Sequence, residues 1–114
     1  MQRDNAILID ITRSIRLIIE FIEGMEWEIF SRDLKTQSAV LHQLMIMGEA
    51  VKRLSVDFQN ANHDVPWSLI ARMRDKLIHG YDLVDLESVW KTAKTDIPML
   101  LVSMEKLMID RDLR

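Results

Sequence analysis

Apolar residues recur at every third or fourth position in four separate stretches of the chain, and this spacing constrains the fold more than any other feature. It is the period of one face of an α-helix, whereas a half-buried β-strand alternates apolar and polar residues. The first stretch shows the helical period over more than four turns, with aliphatic side chains at Ile7, Leu8, Ile11, Ile15, Ile18, Ile19 and Ile22. The sequence therefore predicts an all-α protein.

Capping residues indicate where the first two helices begin and end. Gly24 is expected to end the first helix, because glycine readily adopts the left-handed conformation that follows many helices. Residues 25–30 are expected to form a short extra helical turn. Ser31 or Asp33 can then cap a second long helix. The polar stretch 57–64 is predicted to be a loop after it.

The third and fourth helices have similar signals. Pro66 suits the first turn of the third helix, where a missing N–H has no consequence, and this helix is expected to end near His79. Asp85 or Ser88 can cap the fourth helix. Pro98 lies inside the fourth helix and predicts a kink there, since its ring removes a backbone hydrogen bond.

These helices are most economically packed as an antiparallel four-helix bundle that forms one domain over residues 1–114. The chain is 48% hydrophobic with only three glycines and two prolines, which is typical of a packed helical domain. Gly48 lies within the second helix, where glycine costs about 1 kcal/mol relative to alanine. Another helix is therefore expected to pack closely against it.

Composition also restricts the classes of function. The absence of cysteine excludes disulfide scaffolds and thiolate zinc sites and permits a reducing cytoplasm, where the chain is expected to reside. The apolar runs are too short to cross a membrane, and the first residues lack the pattern of a signal peptide. A net charge of −3 argues against a broad basic surface for nucleic acid, but not against brief contact with RNA through a small basic pocket.

Unusual polar residues occur where the third helix ends. Arg74 projects into the apolar face between Ile70 and Ile78, and a guanidinium in that position needs a charged partner. Glu49 of the second helix is a candidate for this ion pair. His79 and Tyr81 follow at the end of the helix.

Arginine and histidine together suit metal-free cleavage of RNA. Arg74 could stabilise charge on the phosphorus, while His79 could take the 2′-hydroxyl proton or give one to the leaving 5′-oxygen. Positions five apart on a helix differ by about 140°, so the two converge only if the helix unwinds at Gly80 or a second subunit completes the site. A simpler interpretation makes Arg74 an ion-pair residue, His79 a helix cap and Tyr81 a half-buried phenol.

Residues 74–81, with the sequence RDKLIHGY, resemble the R-x4-H-x-Y signature of the HepT toxins in the HEPN superfamily. The resemblance extends over essentially the whole chain. Residues 48–55 are similar to the family's second-helix segment. The segments 66–67, 89–90 and 96–98 lie where the family has similar residues.

The resemblance implies an all-α HEPN-like fold and a homodimer with the active cleft between its subunits. It further implies a metal-independent endoribonuclease in which Arg74 and His79 are catalytic, with neither a metal site nor a cofactor in the chain. The implied partner is an MntA-type nucleotidyltransferase antitoxin, which uses ATP to transfer AMP to Tyr81. An anionic adenylyl group two residues from His79 would block the cleft and repel the RNA phosphate.

Other charged residues are given supporting roles. Asp75 stands where the family often has asparagine, and it could orient Arg74 or a group of the partner subunit. Arg72 and Lys76, together with Lys52 and Arg53, could line a path for RNA.

The sequence departs from the family at one further place. Family members often have Arg-Asn where this chain has His42-Gln43, which removes a positive charge. Two other interpretations therefore stay open. The chain could be a catalytically weak HEPN module that mainly binds a nucleotidyltransferase, or a structural helical adaptor.

Overall fold

The computed structural model describes residues 2–79 and 84–113, without the side chains of Gln2, Ile78 and His79. These residues form helices and their connections, and they contain no β-strand. The prediction of an all-α chain is thus confirmed. The helices, in chain order, are α1 Gln2–Phe21, α2 Trp27–Phe30, α3 Leu34–Lys52, α4 Val56–Ala61, α5 Trp67–His79, α6 Leu86–Lys91 and α7 Ile97–Asp110, with a π-helical segment at Thr92–Asp96 between the last two.

Four helical rods make up the bundle: α1, α3, α5 and the continuous rod formed by α6, the π-helical segment and α7. Helix α1 packs against both α3 and α7, and α5 packs against the other side of α3. Asp4 near the start of α1 binds Ser55 just beyond the end of α3, so these two helices are antiparallel. Asn5 of α1 accepts a hydrogen bond from Arg111 beyond the end of α7, so α1 and α7 are antiparallel too.

The core is built on the aliphatic face of α1. Leu8, Ile11, Ile15 and Ile18 are fully buried there, and each contributes about 1.5–3 kcal/mol by leaving water. Helices α3 and α7 supply further fully buried side chains: Val40, Leu44, Met47, Ile97 and Met104. The spacing of apolar residues in the sequence therefore predicted the buried face of α1.

Most of the predicted helix ends are confirmed. Gly24 has a φ of +76° just after α1. Asp33 caps α3 by accepting a hydrogen bond from the amide of Thr36, and Asp85 caps α6 in the same way. The kink predicted at Pro98 stays a prediction. The structure has a π-helical segment at Thr92–Asp96, which includes Lys94. In a regular α-helix the ring of Pro98 would clash with the carbonyl of Lys94.

The prediction of a loop over residues 57–64 is wrong for its first half, which is helix α4. The side chain of Ser55 caps this helix by accepting a hydrogen bond from the amide of Phe58. Phe58 is buried, and its ring lies 5.9 Å from that of Trp67. A helix with one buried aromatic in a polar stretch has too little periodicity to be recognised from sequence.

None of the helices within the described ranges combines the length and the apolar character needed to cross a membrane.

The carboxylate of Asp4 ties the start of α1 to the junction between α3 and α4. Its side chain is only 3% exposed, and it accepts hydrogen bonds from the amide of Ser55 at 2.9 Å and from its hydroxyl at 2.7 Å. Burial acts to raise the pKa of Asp4, but the hydrogen bonds from Ser55 outweigh burial and the pKa is lowered. The ionised carboxylate therefore stabilises the fold above about pH 4, and this contribution is lost as the pH falls through the lowered native pKa.

Asp4→Asn is expected to reduce the free energy of unfolding at pH 7 by about 1.5 kcal/mol, since hydrogen bonds to a charged acceptor become neutral ones. The difference from wild type should shrink at pH 2.5, because the carboxyl of the unfolded chain, with its ordinary pKa of about 3.9, is then protonated and the advantage of the ionised native form falls. Urea unfolding at both pH values measures this. Asp10→Asn, at an exposed position of the same helix, is the control and should change little. An equal deficit at both pH values would contradict the assigned role of the charge.

Candidate functional site

Helices α3 and α5 come together most closely at Gly48. A Cβ atom added there would overlap the Cβ of Arg74 and would lie 3.1 Å from the carbonyl oxygen of Ile70. The close packing predicted at this glycine is confirmed. The first atoms of the Arg74 side chain consequently lie directly against the backbone of α3.

The side chain of Arg74 is 24% exposed, and two carboxylates hold its guanidinium. Its Nη2 lies 2.8 Å from Oε2 of Glu49, so the ion pair predicted from the sequence is present. Its Nη1 donates a hydrogen bond of 3.1 Å to Oδ1 of Asp75. Glu49 can reach the guanidinium because its neighbour in sequence, Gly48, brings the two helices together.

A fourth charge completes this group. Lys52, three residues after Glu49 on α3, donates a hydrogen bond from Nζ to the same Oδ1 atom of Asp75. The hydrogen bonds from Lys52 and Arg74 lower the pKa of Asp75 and keep the carboxylate ionised at neutral pH. We call Glu49, Lys52, Arg74 and Asp75 the charge network. Its two cations and two anions sum to zero.

The position of Lys52 beside Asp75 was missed by sequence reasoning, which gave this lysine only to an RNA path. One signal was available in the sequence. Glu49 and Lys52 lie on one face of α3, where the anion comes before the cation in sequence. On α5 the order is reversed, since the cation Arg74 comes directly before the anion Asp75. Once Glu49 pairs with Arg74, Lys52 is the nearest cation along α3 for Asp75.

The histidine and tyrosine of the motif are described less fully. Helix α5 continues to His79, whose side chain is not among those described, and Tyr81 lies outside the described residues. Because the backbone stays helical from Arg74 to His79, these two positions are separated by about 140° around the axis. Their catalytic roles and the modification of Tyr81 remain predictions.

Arg72 and Lys76 lie on a different side of α5 from the charge network. Both are exposed and line a groove of about 780 Å³ between α5 and α6, together with Leu77 and Ser88. Arg53 is also exposed, just beyond the end of α3. The structure therefore divides the proposed RNA path. Lys52 lies close to Arg74, since both bind Asp75, whereas Arg72 and Lys76 lie in the groove on the other side of α5.

Within the described side chains, no group of three or more histidine, aspartate and glutamate residues is placed to hold a metal ion. The acidic residues nearest Arg74 bind cationic side chains instead. Arg74 contributes an oriented, permanently charged guanidinium to this site.

Comparison with known proteins gives consistent matches over almost the whole chain. A family model described as "Ribonuclease HepT-like" matches residues 11–107. The chain is 49% identical over 98 residues to "Probable ribonuclease HepT" of Thermococcus cleftensis, covering 86% of this chain and 89% of that protein. It is 40% identical over 105 residues to a Methanocaldococcus jannaschii protein named "Putative RNase", covering 92% and 87%. No solved structure matches significantly.

Proposed function

Because the chain belongs to the ribonuclease HepT-like family, we propose that it is the toxin of a toxin–antitoxin pair and a metal-independent endoribonuclease. Arg74 and His79 are its catalytic residues. It acts in the cytoplasm as a homodimer with the cleft between subunits. An MntA-type nucleotidyltransferase silences it by transferring AMP from ATP to Tyr81.

The orientation of Arg74 supports this proposal more than any other observation. A guanidinium has five N–H donors, and those not engaged by Glu49 and Asp75 are available to phosphate oxygens. A cation fixed before the substrate binds needs little reorganisation to stabilise charge in the transition state. The side chain is partly exposed, so an RNA phosphate can reach it.

The reaction follows from these two groups. His79 removes the proton of the 2′-hydroxyl, the 2′-oxygen bonds to phosphorus, and the bond from phosphorus to the 5′-oxygen breaks. The leaving oxygen takes up a proton from a second histidine or from water. Arg74 stabilises the negative charge on the non-bridging oxygens. A symmetric dimer can supply Arg74 and His79 from opposite subunits, which removes the 140° separation along one helix.

The direct test is cleavage of a defined RNA by the purified protein in EDTA, after intact mass shows Tyr81 to be unmodified. Cleavage with products ending in a 2′,3′-cyclic phosphate is expected. Absence of cleavage on both messenger and transfer RNA would refute the proposed nuclease.

Modification of Tyr81 makes its own prediction. Incubation with the cognate nucleotidyltransferase and ATP is expected to add AMP to the wild type and to abolish RNA cleavage, because the added phosphate blocks and repels substrate. Intact mass followed by peptide mapping measures the modification. Tyr81→Phe should stay unmodified and active. Full inactivation of Tyr81→Phe by the same treatment would show that another residue is the target.

Arg72 and Lys76 are proposed to guide RNA along the groove between α5 and α6. Arg72→Ala and Lys76→Ala are each expected to weaken RNA binding and to reduce the slope of log affinity against log salt by about 0.7, the value for one phosphate contact on a single strand. Lys106→Ala, exposed on α7, is the matched control. Slopes equal to wild type would remove both residues from the path.

A second function is favoured by the neutral charge network and the net charge of −3. In this case the chain is a catalytically weak module that mainly binds a nucleotidyltransferase. Size-exclusion chromatography with that partner distinguishes the two proposals. Stable complex formation by unmodified protein that does not cleave RNA would support the binding module.

A further inference from the structure

Asp75 is shared by two cations in a way that the proposed nuclease activity does not by itself require. One oxygen of its carboxylate accepts hydrogen bonds from Arg74 and Lys52. Lys52 and Asp75 are each more than one-third exposed, while Arg74 is more enclosed. Solvent and substrate can thus reach the shared carboxylate.

An RNA phosphate that approaches Nη1 or Nη2 of Arg74 competes with the carboxylate already bound to that nitrogen. Glu49 has no other ion-pair partner among the described residues, so its release would leave an anion without a cation. Asp75 has Lys52 as a second partner on the same oxygen. Of the two carboxylates, Asp75 can therefore leave Arg74 at the lower cost.

We propose that Lys52 is a positioning residue that holds Asp75 when an RNA phosphate replaces it on Arg74. This inference rests on the proposed ribonuclease function, and it identifies Asp75 as the group that the RNA phosphate replaces on Arg74. Phosphate takes the place of Asp75 on Nη1, while Glu49 continues to orient the guanidinium through Nη2. Lys52 acts through Asp75 and not by touching RNA.

Charge balance explains why Lys52 is needed. Without this lysine, Arg74, Glu49 and Asp75 together carry a net charge of −1, and Asp75 has Arg74 as its only partner in the network. An incoming phosphate then meets a site of net negative charge. With Lys52 the network is neutral before RNA binds, and Asp75 keeps a cation afterwards.

The test is a set of affinities for a short 2′-O-methyl RNA, which binds but cannot be cleaved, measured by fluorescence anisotropy. Lys52→Met is expected to weaken binding about fivefold, the upper range for a partly exposed ion pair. Asp75→Asn should restore binding in Lys52→Met, because the competing anion is gone. Lys52→Arg should bind like wild type. Lys35→Met, exposed near the start of the same helix, is the control for loss of one charge.

Lys52→Met is compared in two backgrounds, the wild type and the Asp75→Asn variant. If it weakened RNA binding equally in both, the proposal would be overturned, since Lys52 would then contact RNA directly. A change in thermal stability without a change in affinity would overturn it as well, because the pair would be only structural. Failure of the wild type to bind any RNA would instead overturn the ribonuclease function, and with it the exchange.

A second measurement does not depend on RNA. Arg74→Met keeps the aliphatic stem beside Gly48 but removes the guanidinium. Asp75 then loses Arg74 as a partner, as it would when a phosphate binds Arg74 in its place. In this variant the pKa of Asp75, followed by carboxyl carbon NMR, is expected to stay below the ordinary value of about 3.9 because Lys52 still holds the carboxylate. A return to the ordinary value would overturn the proposal even if RNA binds normally.

Discussion

Replacing His79 with alanine is expected to slow RNA cleavage by about 10²–10⁴-fold, the usual contribution of a general acid or base. The loss in stability should not exceed about 1 kcal/mol, the value of a cationic side chain at a helix C-terminus. Single-turnover cleavage in EDTA and urea unfolding measure the two effects. His63→Ala, at an exposed position between α4 and α5, is the matched control and should retain full activity.

The result separates three interpretations of the chain. Loss of activity with stability preserved supports a catalytic histidine. Lower stability with cleavage unchanged would make His79 a helix cap. Equal binding of a nucleotidyltransferase by wild type and variant, with no cleavage by either, would support the binding module.

Mixing two inactive variants tests whether the site is shared between subunits. Arg74→Met and His79→Ala each remove one catalytic group, and a mixed dimer keeps one complete pair only if the groups come from opposite protomers. After dissociation and random reassociation, about a quarter of wild-type activity is expected, since half the dimers are mixed and each has one intact site of two. A mixture that stays inactive would place both groups of a site in the same protomer.

Gly48→Ala is expected to reduce the free energy of unfolding by about 2–3 kcal/mol. The new methyl group would overlap the Cβ of Arg74 and press on the Ile70 carbonyl, and relieving this overlap forces α3 and α5 apart. Cleavage should also slow, because the same displacement moves Arg74 relative to Glu49. Urea unfolding and RNA cleavage are the measurements.

The sign of this effect is informative. Helix propensity alone predicts that alanine is better than glycine by about 1 kcal/mol within a helix. Ser38→Ala, at an exposed position of α3, provides the control for propensity without the close approach. If Gly48→Ala stabilised the chain as propensity predicts, the close packing of α3 against α5 at Arg74 would be refuted.

The sequence was sufficient to predict features that depend on local signals or on a single strong conflict. The apolar period predicted the four rods, and the caps Asp33 and Asp85 were each one of two candidates. An arginine on an apolar face needs an anion, which pointed to Glu49. Each of these follows from one helix or from the cost of burying an unpaired charge.

Features that depend on how two helices align could not be obtained in the same way. The bond between Lys52 and Asp75 could be predicted only if the side of α3 that faces α5 were known. Helix α4 is set by burial of Phe58 beneath Trp67, a contact between separate elements.

The π-helical segment also allows α6 and α7 to direct their buried side chains toward the same core. Val89, Ala93 and Ile97 are all buried, at intervals of four residues. On a regular α-helix each such interval advances the side chain by about 40°, so Ile97 would point some 80° away from Val89. The wider turn of the π-helix takes up this angular drift. Deleting one residue from Thr92–Asp96 would rotate everything downstream, turning the apolar edge of α7, including Met104, away from α1.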